Sequence, residues 1–296
     1  MQLTENMEAP TLRHLLFSIA LVLIASQAQA ANHVSIIAAE NFYGDIAGQI
    51  AGADAVVTSI LSNPDQDPHL FEASPSVARK LSDANVVIYN GVGYDPWISQ
   101  MLSGAPRLGR KAIAVGELIN KRDGDNPHVW YSPETAAALA KALTGELTVQ
   151  DPQHSRDYQA RLVVFLQSLE PINTRISDLR ARYSEAAVTA TEPVYGYVLN
   201  ALNLQVKNQR FQLSVMNETE PRASDVAAFQ DDLENRSVKA LIYNQQTQSP
   251  LAQRMLSIAR QANIPKVSVS EMQPGAMTYQ AWISGSLDSL EEALKK

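Results

Sequence analysis

Two of the five histidines occupy matched settings. Asp67-Pro68-His69-Leu70-Phe71 runs on to Ser74-Pro75, and Asn126-Pro127-His128-Val129-Trp130 runs on to Ser132-Pro133. In each copy a proline fixes the backbone just before the imidazole. The Ser-Pro that follows reads as a helix N-cap with Pro at the first helical position. Two imidazoles held in such strand-to-helix loops are suited to ligating one metal ion. The other histidines lack that setting. His14 lies in an apolar leader, His33 beside the expected new amino terminus, and His154 at the polar start of a long helix, where a solvated imidazole is the ordinary expectation.

Two nitrogens seldom complete a metal site, and the chain has no cysteine. Any further ligands must then be oxygen donors at strand ends. Glu192 follows the apolar run Val188-Ala190 and precedes Pro193, and Glu271 follows Val267-Val269. Both carboxylates are expected at the same edge of a second sheet. A Glu ahead of a Pro often only favours a helix dipole, and Glu220 in Thr219-Glu220-Pro221 illustrates that case. Glu192 differs because a strand leads straight into it.

Elements that could position these four residues are legible along the chain. Short apolar runs at 34–39, 55–61, 86–89 and 112–115 suit buried parallel strands, with helical patterns near 42–51, 75–83, 95–102 and 133–147 between and after them. From Pro152 to Tyr183 apolar residues fall at alternating steps of four and three, from Tyr158 through Phe165, Leu169 and Ile172 to Leu179. That stripe predicts one long helix, with Pro171 kinking it or breaking it in two. Strands are then expected at 187–190, 238–243, 266–270 and near 204–213, with helices near 193–202, 223–234, 251–262 and 278–295. The expected fold class is α/β: an amino-terminal lobe over 31–150 and a carboxy-terminal lobe over 186–296, with mainly parallel sheets, joined by a helix over 151–185. Ligands in such folds sit at the carboxyl ends of strands and between lobes.

Residues 1–30 read as a signal peptide. Arg13 precedes the run Leu15–Ala25, and Ala28-Gln29-Ala30 has the form of a signal peptidase site, predicting a cut after Ala30 and a periplasmic protein. Without cysteine the mature amino terminus would carry no lipid on a thiol, and the fold no disulfide. The net charge of −7 disfavours nucleic acid or anionic lipid as the main partner.

Taken together, the two Pro-His motifs with their Ser-Pro sequels, the long central helix and the segment Glu271-x-x-Pro274 leading to Tyr279-x-x-Trp282 resemble the periplasmic solute-binding proteins of zinc and manganese ABC transporters. The resemblance spans the mature chain. It implies two lobes, a rigid linking helix and one divalent metal ion, Zn2+ or Mn2+, in the cleft. It also implies delivery to an ABC permease of the inner membrane, and a monomer without enzymatic activity. The family's amino-lobe histidines fall on His69 and His128. Its third ligand, His in zinc-type and Glu in many manganese-type members, falls on Glu192, and its fourth, usually Asp, on Glu271. The stretch Asn120–Asp125 lacks the histidine-rich loop of many zinc-type members. Two alternatives remain at this level. One is a secreted metallohydrolase, against which stands the lack of H-E-x-x-H and G-x-S-x-G. The other is a binder of an organic solute lined by Tyr94, Trp97, Trp130, Tyr131 and Tyr195.

Overall fold

Strand β1 (Val34–Glu40) is flanked by β2 (Ala55–Leu61) and β3 (Val86–Tyr89), and β4 (Lys111–Ala114) extends the sheet, giving the order β2-β1-β3-β4 with every pairing parallel. The structure, a computed structural model, describes residues 33–66, 68, 71–246 and 249–296. The expected signal peptide and His69 lie outside the described residues. A second sheet repeats the plan: β5 (Ala187–Ala190), β6 (Gln205–Lys207), β7 (Leu241–Asn244) and β8 (Lys266–Val269) in the order β6-β5-β7-β8, again all parallel. Helices pack around both sheets, which is the α/β architecture expected from the sequence.

In the first half these are α1 (Asn41–Ala51), α2 (Pro75–Asp83), α3 (Pro96–Gly104), α4 (Val115–Leu118) and α5 (Thr135–Gln150). Helix α6 (Ser155–Tyr183) follows, 29 residues or about 44 Å long. In the second half are α7 (Gly196–Ala201), α8 (Gln209–Met216), α9 (Ala223–Glu234), α10 (Pro250–Gln261) and α11 (Tyr279–Leu294). Helix α6 runs without a break through Pro171. Its buried stripe Tyr158, Phe165, Leu169, Ile172, Ile176 and Leu179 is the one its spacing predicts. Polar staples fix both ends. Arg161 donates to the Ile50 carbonyl at 2.9 Å and pairs with Asp54. Arg175 and Arg182 converge on Glu291 of α11.

One apolar core joins the two sheets through this helix. Phe42 of α1 stacks against Trp130 and Trp282 with centroids 4.8 and 5.8 Å apart, and Tyr131 meets Trp282 at 5.2 Å and Tyr195 at 4.9 Å. Each of these rings contributes roughly 1.5–3 kcal/mol of burial. They sit where the organic-solute alternative would have had a ligand: Trp130, Tyr131 and Tyr195 are core residues.

Two local expectations change. The strand near 204–213 is only β6, because Asn208 adopts a left-handed conformation (φ 60°) and opens α8. A hydrogen bond from Asn208 Nδ2 to Asp232 Oδ2 at 3.1 Å holds that turn. The two Ser-Pro pairs also differ. Ser74 caps α2 through the Val77 N–H, whereas Ser132 closes a 3-10 turn over Val129–Tyr131 and α5 starts at Thr135. That turn buries Trp130 and Tyr131, and Thr135 Oγ1 donates to the Val129 carbonyl at 2.6 Å.

Candidate metal centre

The loop from Asn126 to Trp130 presents His128, which is fully buried. Its Nδ1 lies 2.6 Å from Asn126 Oδ1, an oxygen that also accepts the His128 backbone N–H at 3.1 Å. The Asn126 amide cannot be reversed, because its Nδ2 donates to the Pro193 carbonyl at 2.7 Å. An acceptor therefore faces Nδ1, Nδ1 carries the proton, and Nε2 keeps the lone pair. This is the tautomer of a metal-ligating imidazole with an oriented partner behind it.

A second set of contacts fixes the same loop from β3. Asn90 Nδ2 donates to the Pro127 carbonyl at 2.8 Å, and Tyr43 donates to Asn90 Oδ1 at 2.6 Å. The turn after β3 places Gly91, Val92 and Gly93 at positive φ, an unusual conformation for a β-branched residue such as Val92. Asp95 stabilises it by accepting the backbone N–H groups of Asn90 at 2.6 Å and Gly91 at 2.8 Å. Burial pushes the Asp95 carboxyl up to about 6, although those two N–H groups pull the other way. Glu40, at the end of β1, is pushed well above the usual carboxylate range by burial and then by the Asp95 charge.

The second sheet supplies the carboxylates. Glu271 follows β8 and is almost wholly buried. Its Oε2 lies 3.9 Å from His128 Nε2 and accepts from the Tyr94 hydroxyl at 3.1 Å. Burial first, then the Glu271 charge, keeps the Tyr94 phenol protonated and therefore a donor. Glu192 follows β5 and is also buried. Asn244 links the two carboxylates, donating from Nδ2 to Glu271 Oε1 at 2.6 Å and to Glu192 Oε2 at 3.3 Å.

The structure thus brings three of the four predicted residues to facing strand ends, with His128 directly opposite Glu271 and Glu192 joined through an amide. Among the described residues no group of three or more His, Asp and Glu side chains is already placed to hold a metal ion. Two donors each about 2.1 Å from a tetrahedral ion stand about 3.4 Å apart, so the His128–Glu271 pair would need to close by about half an ångström. His154 lies elsewhere, 2.6 Å from Asp151, and Glu220 is exposed.

Tyr94, Asn126, Asn244 and Gln246 were not assigned these contacts from the sequence. Asn126 carried a signal, since an Asx two residues before the histidine can turn back to meet its ring. Asn244 and Gln246 carried none.

Backbone ties between the halves flank the described candidate ligands His128, Glu192 and Glu271. Besides Asn126 to Pro193, Tyr131 donates to the Ser270 carbonyl at 2.9 Å and Tyr279 to the Trp130 carbonyl at 2.7 Å. Asn41 clasps Gln273, giving to its carbonyl at 2.8 Å and accepting its N–H at 3.1 Å.

Residues 36–293 match the family described as zinc-uptake complex component A, periplasmic. The chain belongs to that family. It is a family of metal-binding transport components. The chain is 23% identical to the manganese ABC transporter substrate-binding lipoprotein PsaA of Streptococcus mitis, over 95% of this chain and 97% of the relative. It is 22% identical to the metal ABC transporter substrate-binding lipoprotein FimA of Streptococcus parasanguinis, over 95% and 96%. Among solved structures, the periplasmic zinc-binding protein TroA from Treponema pallidum has a TM-score of 0.74 at 18% identity, covering 89% of this chain and 99% of that one. The Mn-bound periplasmic metal-binding protein from Candidatus Liberibacter asiaticus reaches 0.70 at 18% identity, covering 88% and 99%. Both show the same fold. The matches support neither the hydrolase nor the organic-solute alternative. Among the described residues no helix is long and apolar enough to cross a membrane.

Proposed function

We propose that this chain captures one divalent transition-metal ion, Zn2+ or Mn2+, between its two sheets and delivers it to an ABC permease in the inner membrane. His128 and Glu271 would bind it from opposite sides, with Glu192 and His69 completing two nitrogen and two carboxylate donors. One observation carries the reading: the buried lone-pair nitrogen of His128 faces Glu271 from another lobe, its tautomer set by an amide that is itself anchored across the interface. Four protein donors leave little room for a reactive water, which suits a carrier rather than an enzyme. The relatives' names, which include both metals, support Zn2+ and Mn2+ alike.

In this reading the protein works in the periplasm as a monomer after cleavage behind Ala30. Its lobes over 31–150 and 186–296 are joined by the stiff 151–185 segment, and the buried aromatic core keeps their opening small. Equilibrium dialysis against Zn2+ and Mn2+, singly and in competition, tests the proposal. The expected result is one ion per chain, released on acidification because both imidazoles must be neutral and both carboxylates ionised. No saturable binding of either ion would overturn it.

A further inference from the structure

The carboxylate half of the site contains two buried amides that the ligand set does not use. Asn244 closes β7, and its side chain is held in one orientation: Oδ1 accepts the Gln246 backbone N–H at 3.1 Å, an Asx turn that leaves Nδ2 aimed at the carboxylates. From there Nδ2 reaches both Glu271 and Glu192. Gln246 continues the chain of contacts. Its Oε1 accepts the backbone N–H of Glu271 at 3.1 Å, and its Nε2 donates to the Pro64 carbonyl at 3.1 Å. Pro64 lies in the loop after β2, on the first sheet, five residues before His69. Both amides are at least nine-tenths buried, so each contact would leave an unsatisfied group if it were broken.

Two carboxylates close enough to share one amide repel each other once both are ionised, as holding a cation requires, and the amide's two N–H groups hold their spacing. Gln246 does something different. Like Asn126 on the other half, it bonds the N–H of a candidate ligand with one end and the opposite half with the other. The remaining ties across the halves bond neighbours of the candidate ligands instead. A movement of the 62–66 loop therefore pulls on the Glu271 backbone, and a movement of Glu271 pulls on the loop leading into His69.

We propose that Asn244 and Gln246 are positioning residues of the cargo site. Asn244 sets the separation of the two carboxylates, and Gln246 couples Glu271 to the loop preceding His69, so that releasing the ion requires breaking the Gln246–Pro64 bond. The inference rests on the metal-carrier reading above. It makes ion retention depend on a residue that never touches the ion.

The test is stopped-flow release of Zn2+ into excess chelator, with association measured separately, for the parent protein and for Gln246→Met, Gln246→Ala and Asn244→Ala. The expected result is one ion per chain in every protein. Release should be about 10-fold or more faster in both Gln246 variants, with association within about 2-fold of the parent. Asn244→Ala should bind about 10- to 100-fold more weakly, the range for partners behind a ligand. A purely structural role would lower the melting temperature without splitting release from association. Parent-like release in a folded Gln246 variant would overturn the coupling, and parent-like affinity in Asn244→Ala would overturn the spacing role. A parent protein that binds no ion would instead overturn the carrier reading itself. Should the variants not fold, amide hydrogen exchange of the unmodified chain decides: segments 62–66 and 270–272 should both slow when Zn2+ is added, and an unchanged 62–66 would refute the coupling.

Discussion

The two halves of the site stand on sheets of the same topology, yet they are built by different means. On the first sheet the candidate donor is an imidazole, and the groups behind it are hydrogen-bonded in the absence of a cation. Asn126 sets the His128 tautomer, Asn90 holds the preceding carbonyl, and Asp95 holds the turn that carries Asn90. On the second sheet the candidate donors are two carboxylates that share one amide. The imidazole half needs no cation to be stable, because a neutral ring with a fixed donor carries no net charge. The carboxylate half gathers two buried acids, whose ionised forms repel each other and gain most from a cation. A carrier built this way has a rigid receiving side and a side whose energy changes when the ion arrives.

Breaking the rigid side should have the larger consequences. Asn126→Ala removes both the acceptor for His128 Nδ1 and the cross-lobe bond to Pro193. Metal affinity should fall about 10- to 100-fold, measured by chelator competition. A change under about 2-fold would mean that the tautomer is set by something else.

The carboxyl beneath that side predicts a pH effect. Asp95 rises from 3.8 to about 6 on folding because of burial. Its folded form therefore holds a proton more tightly than its unfolded form, and stability from this group is greatest below 3.8 and lost as pH rises through about 6. The cost of ionising it in the fold is about 3 kcal/mol. Asp95→Asn abolishes that titration. Urea denaturation should show the difference between variant and parent moving by about 2 kcal/mol in the variant's favour between pH 4 and pH 7. A pH-independent difference would contradict the assignment.

The smallest effect belongs to the second half's attachment to α6. The hydrogen bond from Arg182, aided by the Arg175 charge, holds Glu291 below its ordinary 4.5. A depressed carboxylate stabilises the fold above 4.5 and loses that contribution as pH falls through its folded value. Glu291→Gln should be modestly less stable than the parent at pH 7, with the difference shrinking in acid and in high salt. Solvent around Arg182 keeps the effect small. A difference that grew in acid would show that the brace acts through packing instead of charge.

The same contrast explains what could be read in the chain. The first half announced itself because a proline before a histidine, followed by Ser-Pro, leaves a local pattern. Glu192 and Glu271 were singled out only through their position after apolar runs. The long helix was legible because its stripe persists for about six turns, and Pro171 did not end it since packing on both sheets holds its two ends. Asn208 and Ser132 misled, the first because a left-handed residue turns an expected strand into a helix start, the second because two aromatic side chains pull the backbone into a 3-10 turn. Asn244 and Gln246 left no trace, for an amide at a strand end acquires its partners only when three other strand ends arrive around it.

The central claim is that His128 binds a metal ion opposite Glu271. Elemental analysis after loading with Zn2+ and desalting, carried out on the parent and on folded His128→Ala, tests it most directly. One ion per chain in the parent and none in the variant, with both showing the same circular dichroism, is the predicted result. A full ion retained by His128→Ala would contradict it.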